Sequence, residues 1–95
     1  MGQLTFEVIK KSCVFVLQIR EPEETLKKLA MFFQDRGILI DDLHLHRHRS
    51  GEDRYRIGEA MLIIHCQIEK DRIGRTVQLM GNLPGIMEME RMEGK

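Results

Sequence analysis

The sequence predicts one α+β domain with elements in the order β-α-β-β-α-β, and three observations carry that expectation. Residues 13–20 and 60–69 alternate at strand period. Residues 22–36 repeat apolar side chains at helical period behind a proline. The chain has 95 residues, enough for one domain and too few for two.

The first extended segment runs from Phe6 to Arg20. Cys13, Phe15, Leu17 and Ile19 alternate there with Val14, Val16, Gln18 and Arg20, so the strand has two unlike faces. Gln3 to Lys10 alternates less cleanly. Residues 1–11 are therefore set apart as an N-terminal segment or extra strand, ahead of a domain over 12–95. Glu21-Pro22-Glu23-Glu24 then opens a helix. Proline suits a first turn because its missing N–H would have no intrahelical partner there. The glutamates complement the positive end of the helix dipole. Leu26, Leu29, Ala30 and Phe33 form the predicted apolar stripe, and Arg36 followed by Gly37 closes the helix.

Ile38–Arg49 and Tyr55–Glu69 read as the second and third strands, joined by a turn at Ser50-Gly51-Glu52-Asp53. Ile38 and Ile40 share one parity, Leu43 and Leu45 the other. A bulge near Asp41-Asp42 would restore both pairs to one face. In the third strand Ala60, Leu62, Ile64, Cys66 and Ile68 make one face, and Met61, Ile63, His65 and Gln67 the other. Asp71 is the expected N-cap of a second helix from Arg72 to about Asn82, with Ile73, Thr76, Val77 and Met80 on its apolar side. Gly74 weakens that helix by about 1 kcal/mol relative to alanine. Pro84-Gly85 is a turn, and Ile86–Met92 the last strand. Two βαβ halves of this kind make a ferredoxin-like sandwich. Its four-stranded antiparallel sheet carries both helices on one face, with the first and third strands central.

Composition narrows the function. Fifteen basic and fifteen acidic residues cancel, so no net field draws the chain to nucleic acid or to an anionic membrane. No apolar run approaches about 20 residues, and the N-terminus lacks a signal-peptide pattern, so the expected location is cytoplasmic. Cys13 and Cys66 match no zinc knuckle and no redox pair; two buried thiols are favoured over a disulfide. A chain of this size buries only about 60–65% of its unfolded surface, which favours pairing with a second copy or a higher homo-oligomer.

The run Arg20-Glu21-Pro22-Glu23, then Leu26, Leu29, Ala30 and Phe33, then Gly37-Ile38-x-Ile40-x-x-Leu43, resembles the ACT-domain pattern. The likeness continues through Ile64 to Asp71 and Leu83-Pro84-Gly85-Ile86, and so covers about residues 12 to 92. Pro22, Glu23, Thr25 and Leu26 look most like the free-standing small regulatory subunits of acetolactate synthase. The resemblance implies a non-catalytic regulatory domain that dimerises, binds an amino-acid-type effector and modulates a biosynthetic enzyme's large subunit. It places the effector at Arg20, Glu21, Pro22, Glu23 and Glu24, facing Ile38, Leu39 and Ile40 of the neighbour. One departure counts against that ligand. Family members that bind effectors commonly carry glycine after the proline, whereas Glu23 stands there with Glu21 and Glu24 beside it. Those carboxylates repel an amino acid's own carboxylate, although they attract its ammonium group.

His44-Leu45-His46-Arg47-His48 supplies imidazoles at strand period on one face, and His65 shares that face by parity. Such an array suits zinc, nickel or copper, so a metal-binding or metal-sensing module is the alternative function. The plainer reading, which is favoured, is a strand edge whose charges discourage sheet-to-sheet aggregation. Arg47, Arg49, Arg54 and Arg56 flank the same hairpin among Glu52 and Asp53, with only Tyr55 as an aromatic; they read as a solvated loop, not an RNA-stacking platform. Asp41 and Asp42 point to opposite faces unless a bulge intervenes, so an acid–base pair is not expected. No nucleophile elbow and no phosphate loop is present; neither an enzyme nor a resident cofactor is expected. Val14, Val16, Met61 and Ile63 lie on the face away from the helices and need a cover: a second copy, the N-terminal segment, or a partner enzyme. A purely structural assembly domain with no small ligand is the third functional reading, which the acidic loop favours. Met87, Met89 and Met92 suit an adaptable contact surface, with Met87 and Met89 read as thin-core residues.

Overall fold

The computed structural model describes residues 9–47 and 58–93. The expected turn at Ser50–Asp53 lies outside the described residues, as do His48, Arg49, Arg54, Tyr55, Arg56 and residues 1–8. Strands β1 (Lys10–Arg20), β2 (Ile40–Arg47), β3 (Glu59–Glu69) and β4 (Ile86–Glu93) form one sheet in the order β2-β3-β1-β4, every neighbouring pair antiparallel. Helix α1 (Pro22–Asp35) links β1 to β2, and α2 (Ile73–Gly81) links β3 to β4. This is the ferredoxin-like sandwich, with β1 and β3 central.

Strict alternation on the two central strands sets the layers. Cys13, Phe15, Leu17 and Ile19 of β1 and Ala60, Leu62, Ile64, Cys66 and Ile68 of β3 are buried. They share one core cluster with Leu29, Phe32 and Phe33 of α1 and with Ile73 and Met80 of α2, so both helices cover the same face. The apolar stripe of α1 differs from the expected one. Thr25, Leu29, Phe32 and Phe33 are buried, Leu26 is half-buried and Ala30 is exposed. Periodicity alone could not choose between adjacent stripes. The two phenylalanines bring far more surface than an alanine, so the helix turns them inward. Ring against ring, Phe32 and Phe33 meet edge to face at 5.6 Å.

Helix α1 ends as its residues dictate. Gly37 takes φ 66°, its N–H donates to Gln34 O at 3.1 Å, and Ile38 N–H donates to Phe33 O at 2.9 Å. These are the paired bonds of a Schellman cap. The Arg36 guanidinium adds a bond to Phe32 O and lies 3.8 Å above the centre of the Phe32 ring. The start of α2 corrects an expectation. Asp71 sits inside a 3₁₀ turn at Lys70–Arg72, and Arg72 precedes the helix with no side-chain cap. Tertiary anchoring of Ile73, Thr76 and Met80 holds this short helix instead.

Two irregularities tune the sheet. Between Ile40 and Asp42 the β2–β3 register shifts by one residue, so Ile40, Leu43 and Leu45 all face the core side. This is the bulge that the phase change demanded. A second shift, between Gln18 and Ile19, falls opposite Met87. It leaves Met87 40% exposed, so only Met89 of the expected pair packs on the core.

Cys13 and Cys66 face one another across β1 and β3 as buried free thiols. Burial raises both; Cys66 is pushed up to about 12, with the Cys13 thiol and Asp41 adding to the effect. The folded state therefore holds the Cys66 proton more tightly than the unfolded chain. That stabilisation is complete below about pH 9 and drains away as pH rises toward 12.

Two expectations follow. Phe33→Ala should cost about 3–5 kcal/mol in urea unfolding, whereas Ala30→Lys should change stability by no more than about 0.5 kcal/mol. Equal losses would return Ala30 to the core stripe. Raising the pH from about 8 to about 10.5 should lower the urea midpoint, and Cys66→Ala should flatten that slope.

Candidate functional site

The corner between β1 and α1 carries the residues assigned to effector binding, and its backbone is tied on every side. Arg20 N–H donates to Gly85 O at 2.9 Å, Glu21 N–H to Gly58 O at 3.0 Å, and Thr25 N–H to Glu21 O at 2.9 Å. The buried Thr25 hydroxyl donates to Arg20 O. Gly85 is required opposite it: φ is 91°, and a Cβ there would collide with Thr25 Oγ1. Glu21 takes the left-handed conformation at φ 48°, ψ 65°, an unfavourable place for a residue bearing a Cβ. Pro22 follows at the first helical position with no N–H to offer.

This bonding defines what the corner can bind. The amides of Arg20, Glu21 and Thr25 are already spent, and the exposed Glu23 and Glu24 set two carboxylates in the first turn of the helix. Glu23 also reaches Arg47 Nη2 of β2 at 3.5 Å, an exposed ion pair of small energetic weight. An incoming carboxylate meets repulsion here, not a ring of donors. The other half of the assigned site is remote in the same chain. Arg20 pairs with Glu59 and Ile40 with Cys66, seven residues apart along β3, about 23 Å at 3.3 Å per residue. Ile38 and Ile40 are half-buried against the core, and Leu39 is 75% exposed. Only a second copy could bring residues 38–40 to the corner.

The histidines fall where parity places them. His44 and His46 project from the open face of β2 with ring centres 6.5 Å apart, and His65 lies on that face of β3, opposite Asp42. His44 Nε2 is 2.8 Å from Asp42 Oδ2, and this hydrogen bond holds the Asp42 carboxyl below its ordinary value. Among the described residues no three histidine, cysteine or acidic side chains converge enough to hold a metal ion, and His48 lies outside those residues. On the open face Val14, Val16, Met61 and Ile63 are half-buried, and Met92 is 51% exposed. The apolar patch expected from alternation is present.

One feature escaped the sequence. A cleft of about 450 Å³ opens between the end of α1 and the start of α2, lined by Asp35, Arg36, Asp71, Arg72 and Arg75 with Thr76 and Leu79. No local pattern announces it, because its two halves are separated along the chain and meet only when both helices lie on the sheet.

No family model matches the chain, and no curated protein matches it. Solved structures do share its fold. The C-terminal domain of the MgtC protein from Mycobacterium tuberculosis superposes with a TM-score of 0.64 at 10% identity, over 96% of this chain and 94% of that one. A homoserine dehydrogenase from Thiobacillus denitrificans gives 0.65 at 12% identity, over 92% of this chain but only 18% of the enzyme. The 30S ribosomal protein S6 from Thermotoga maritima gives 0.62 at 10% identity, over 90% and 89%. At such identities the likeness is one of fold, and fold does not fix activity. Fold and site together define a ferredoxin-like α+β domain with a tied acidic corner and a sheet face that, among the described residues, no helix covers. Among the described residues, no helix is long and apolar enough to cross a membrane.

Replacing Glu21 by glycine relieves about 1–2 kcal/mol of left-handed strain and costs about 0.5–1 kcal/mol of added unfolded-state freedom. Glu21→Gly should therefore stabilise the fold by a net of about 0–1.5 kcal/mol, read as an equal or higher urea midpoint with unchanged m. A drop in stability would show that the Glu21 side chain holds the corner in some further way.

Proposed function

We propose that this chain is a non-catalytic, ACT-type regulatory domain that pairs with a second copy and biases the conformation of a biosynthetic enzyme. The observation that supports this reading is the open sheet face. Both helices cover one side, and the centre of the other presents Val14, Val16, Met61 and Ile63 to whatever covers it. A surface of that kind suits association. One structure of the same fold is the C-terminal domain of the MgtC protein, and the match in homoserine dehydrogenase takes up a small part of an enzyme chain. Attachment to an enzyme is in keeping with that occurrence. A domain so attached acts by binding one enzyme conformation better than another.

An amino-acid effector in this reading sits at Arg20–Glu24 against Ile38, Leu39 and Ile40 of the second copy. Glu21, Glu23 and Glu24 would take its ammonium group and Arg20 its carboxylate. The spent amides of the corner favour a second reading, an assembly domain that carries no small ligand.

Purification of the untagged protein from its native cells, with the accompanying proteins identified, tests the proposal. A biosynthetic enzyme should co-purify in fixed proportion, and its activity should change when the domain is removed. Recovery of the chain with copies of itself alone would overturn the regulatory reading. Calorimetric titration with each amino acid separates the two readings. Binding weakened at least about tenfold by Arg20→Ala supports the effector site, and no binding tighter than about 1 mM supports the ligand-free domain.

A further inference from the structure

We propose that the open face of the sheet is a self-docking surface: two copies stack face to face about a twofold axis parallel to the strands, His44 and His46 of each meeting Glu90 and Glu88 of the other. This rests on the reading of the chain as a self-pairing domain and goes beyond it by assigning the surface and its geometry. Because the rows stay in step, it leaves residues 38–40 of the second copy remote from the Arg20 corner, and so belongs with the reading that carries no small ligand.

Cross-strand register lays the open face out in rows. One row, from β2 to β4, reads His44, Ile63, Val16, Glu90. The next reads His46, Met61, Gln18, Glu88, and the row on the other side reads Asp42, His65, Val14, Met92. Each of the first two rows therefore runs from an imidazole through two central residues to a carboxylate. The face is apolar along its middle, basic-capable at one edge and acidic at the other.

Two in-plane twofold axes can bring such a face onto a copy of itself. An axis perpendicular to the strands sets β2 over β2 and β4 over β4, so imidazole meets imidazole and carboxylate meets carboxylate. An axis parallel to the strands sets β2 of each copy over β4 of the other and keeps every row in step. His44 then faces Glu90, His46 faces Glu88, and Ile63 and Val16 pack across the axis. Electrostatic complementarity selects the second arrangement. Stacked sheets lie about 10 Å apart with strands near alignment, a gap that side chains from both faces fill.

Two details of the single copy fit this partner. A depression of about 500 Å³ lies along Val16, Gln18, Glu88, Met89 and Glu90, where the incoming imidazoles would arrive. Gln18 Oε1, in the row that receives His46, is buried with no hydrogen-bond partner among the described residues. Four strands about 4.8 Å apart and eight residues long give a footprint of roughly 500 Å² per copy, at the lower limit of a specific interface, which suits a weak, reversible pair.

The charged groups near these imidazoles are Asp42 on their own strand, His65 on β3, the Arg20 and Glu59 pair beside the His46 row, and Glu88 and Glu90 of the second copy; Lys10 and Glu69 sit opposite each other farther along the face.

Sedimentation velocity over roughly 5–200 μM provides the test, and the unmodified chain should dimerise within that range. Glu88→Lys with Glu90→Lys, and separately His44→Glu with His46→Glu, should each weaken self-association at least about tenfold. Mixing these two charge variants should restore a dimer, since lysine then faces glutamate on one side and histidine faces native glutamate on the other. Circular dichroism confirms that each variant is folded. A folded Glu88→Lys/Glu90→Lys variant that dimerises as tightly as the unmodified chain overturns this interface while leaving self-pairing elsewhere intact. Folded charge variants that fail to combine overturn the arrangement as well. A strict monomer under all conditions removes both this interface and the self-pairing in the proposed function.

Discussion

Everything in this domain depends on the one-sided burial of β1 and β3. Each central strand places large apolar side chains at every second residue, and these residues alone are driven out of water together. Their shared face is broad enough for two helices and no more. Phe32 and Phe33 from α1, and Ile73 and Met80 from α2, complete one thin core. The opposite face is then left with residues of intermediate character: valines, a methionine, an isoleucine, and histidines and glutamates toward the edges. A domain of this size has no further element among its described residues to cover them.

The same economy explains the corner at Arg20–Thr25. The chain must leave the sheet and enter a helix within two residues, which forces Glu21 into a left-handed conformation. Hydrogen bonds from Arg20, Glu21 and the Thr25 hydroxyl repair the turn, and Gly85 gives way to let Thr25 approach. A loop so fully bonded is a structural joint. Its residue types look like those of an effector loop, yet the amides of Arg20, Glu21 and Thr25 already have partners within the chain. Resemblance of sequence and availability of chemistry part company here.

The histidines illustrate a related point. As residue types they suit a metal; in the sheet they occupy one edge, with His44 leaning on Asp42 and no third ligand converging among the described residues. Their position becomes informative only against the far edge of the same face. There Glu88 and Glu90 stand in the rows of His46 and His44, across four strands that are not consecutive in sequence. A separation of opposite charges by an apolar centre is a directional pattern, and direction is what selects among ways for identical surfaces to meet.

The amino-acid sequence by itself determined the element order, the inward face of each central strand, the Gly37 helix stop and the bulge between Ile40 and Asp42. All of these follow from local periodicity and local backbone chemistry, which act between residues a few positions apart. Tertiary structure decided the rest. It turned Phe32 inward and Ala30 outward, because a helix stripe is chosen by the surface it meets. It drew Asp71 into a 3₁₀ turn, exposed Met87 through a second bulge, and spent the corner amides on Gly58 and Gly85. It also aligned His44 and His46 with Glu90 and Glu88. Each of these depends on which distant segments become neighbours, and no spacing along the chain encodes that until the core has formed.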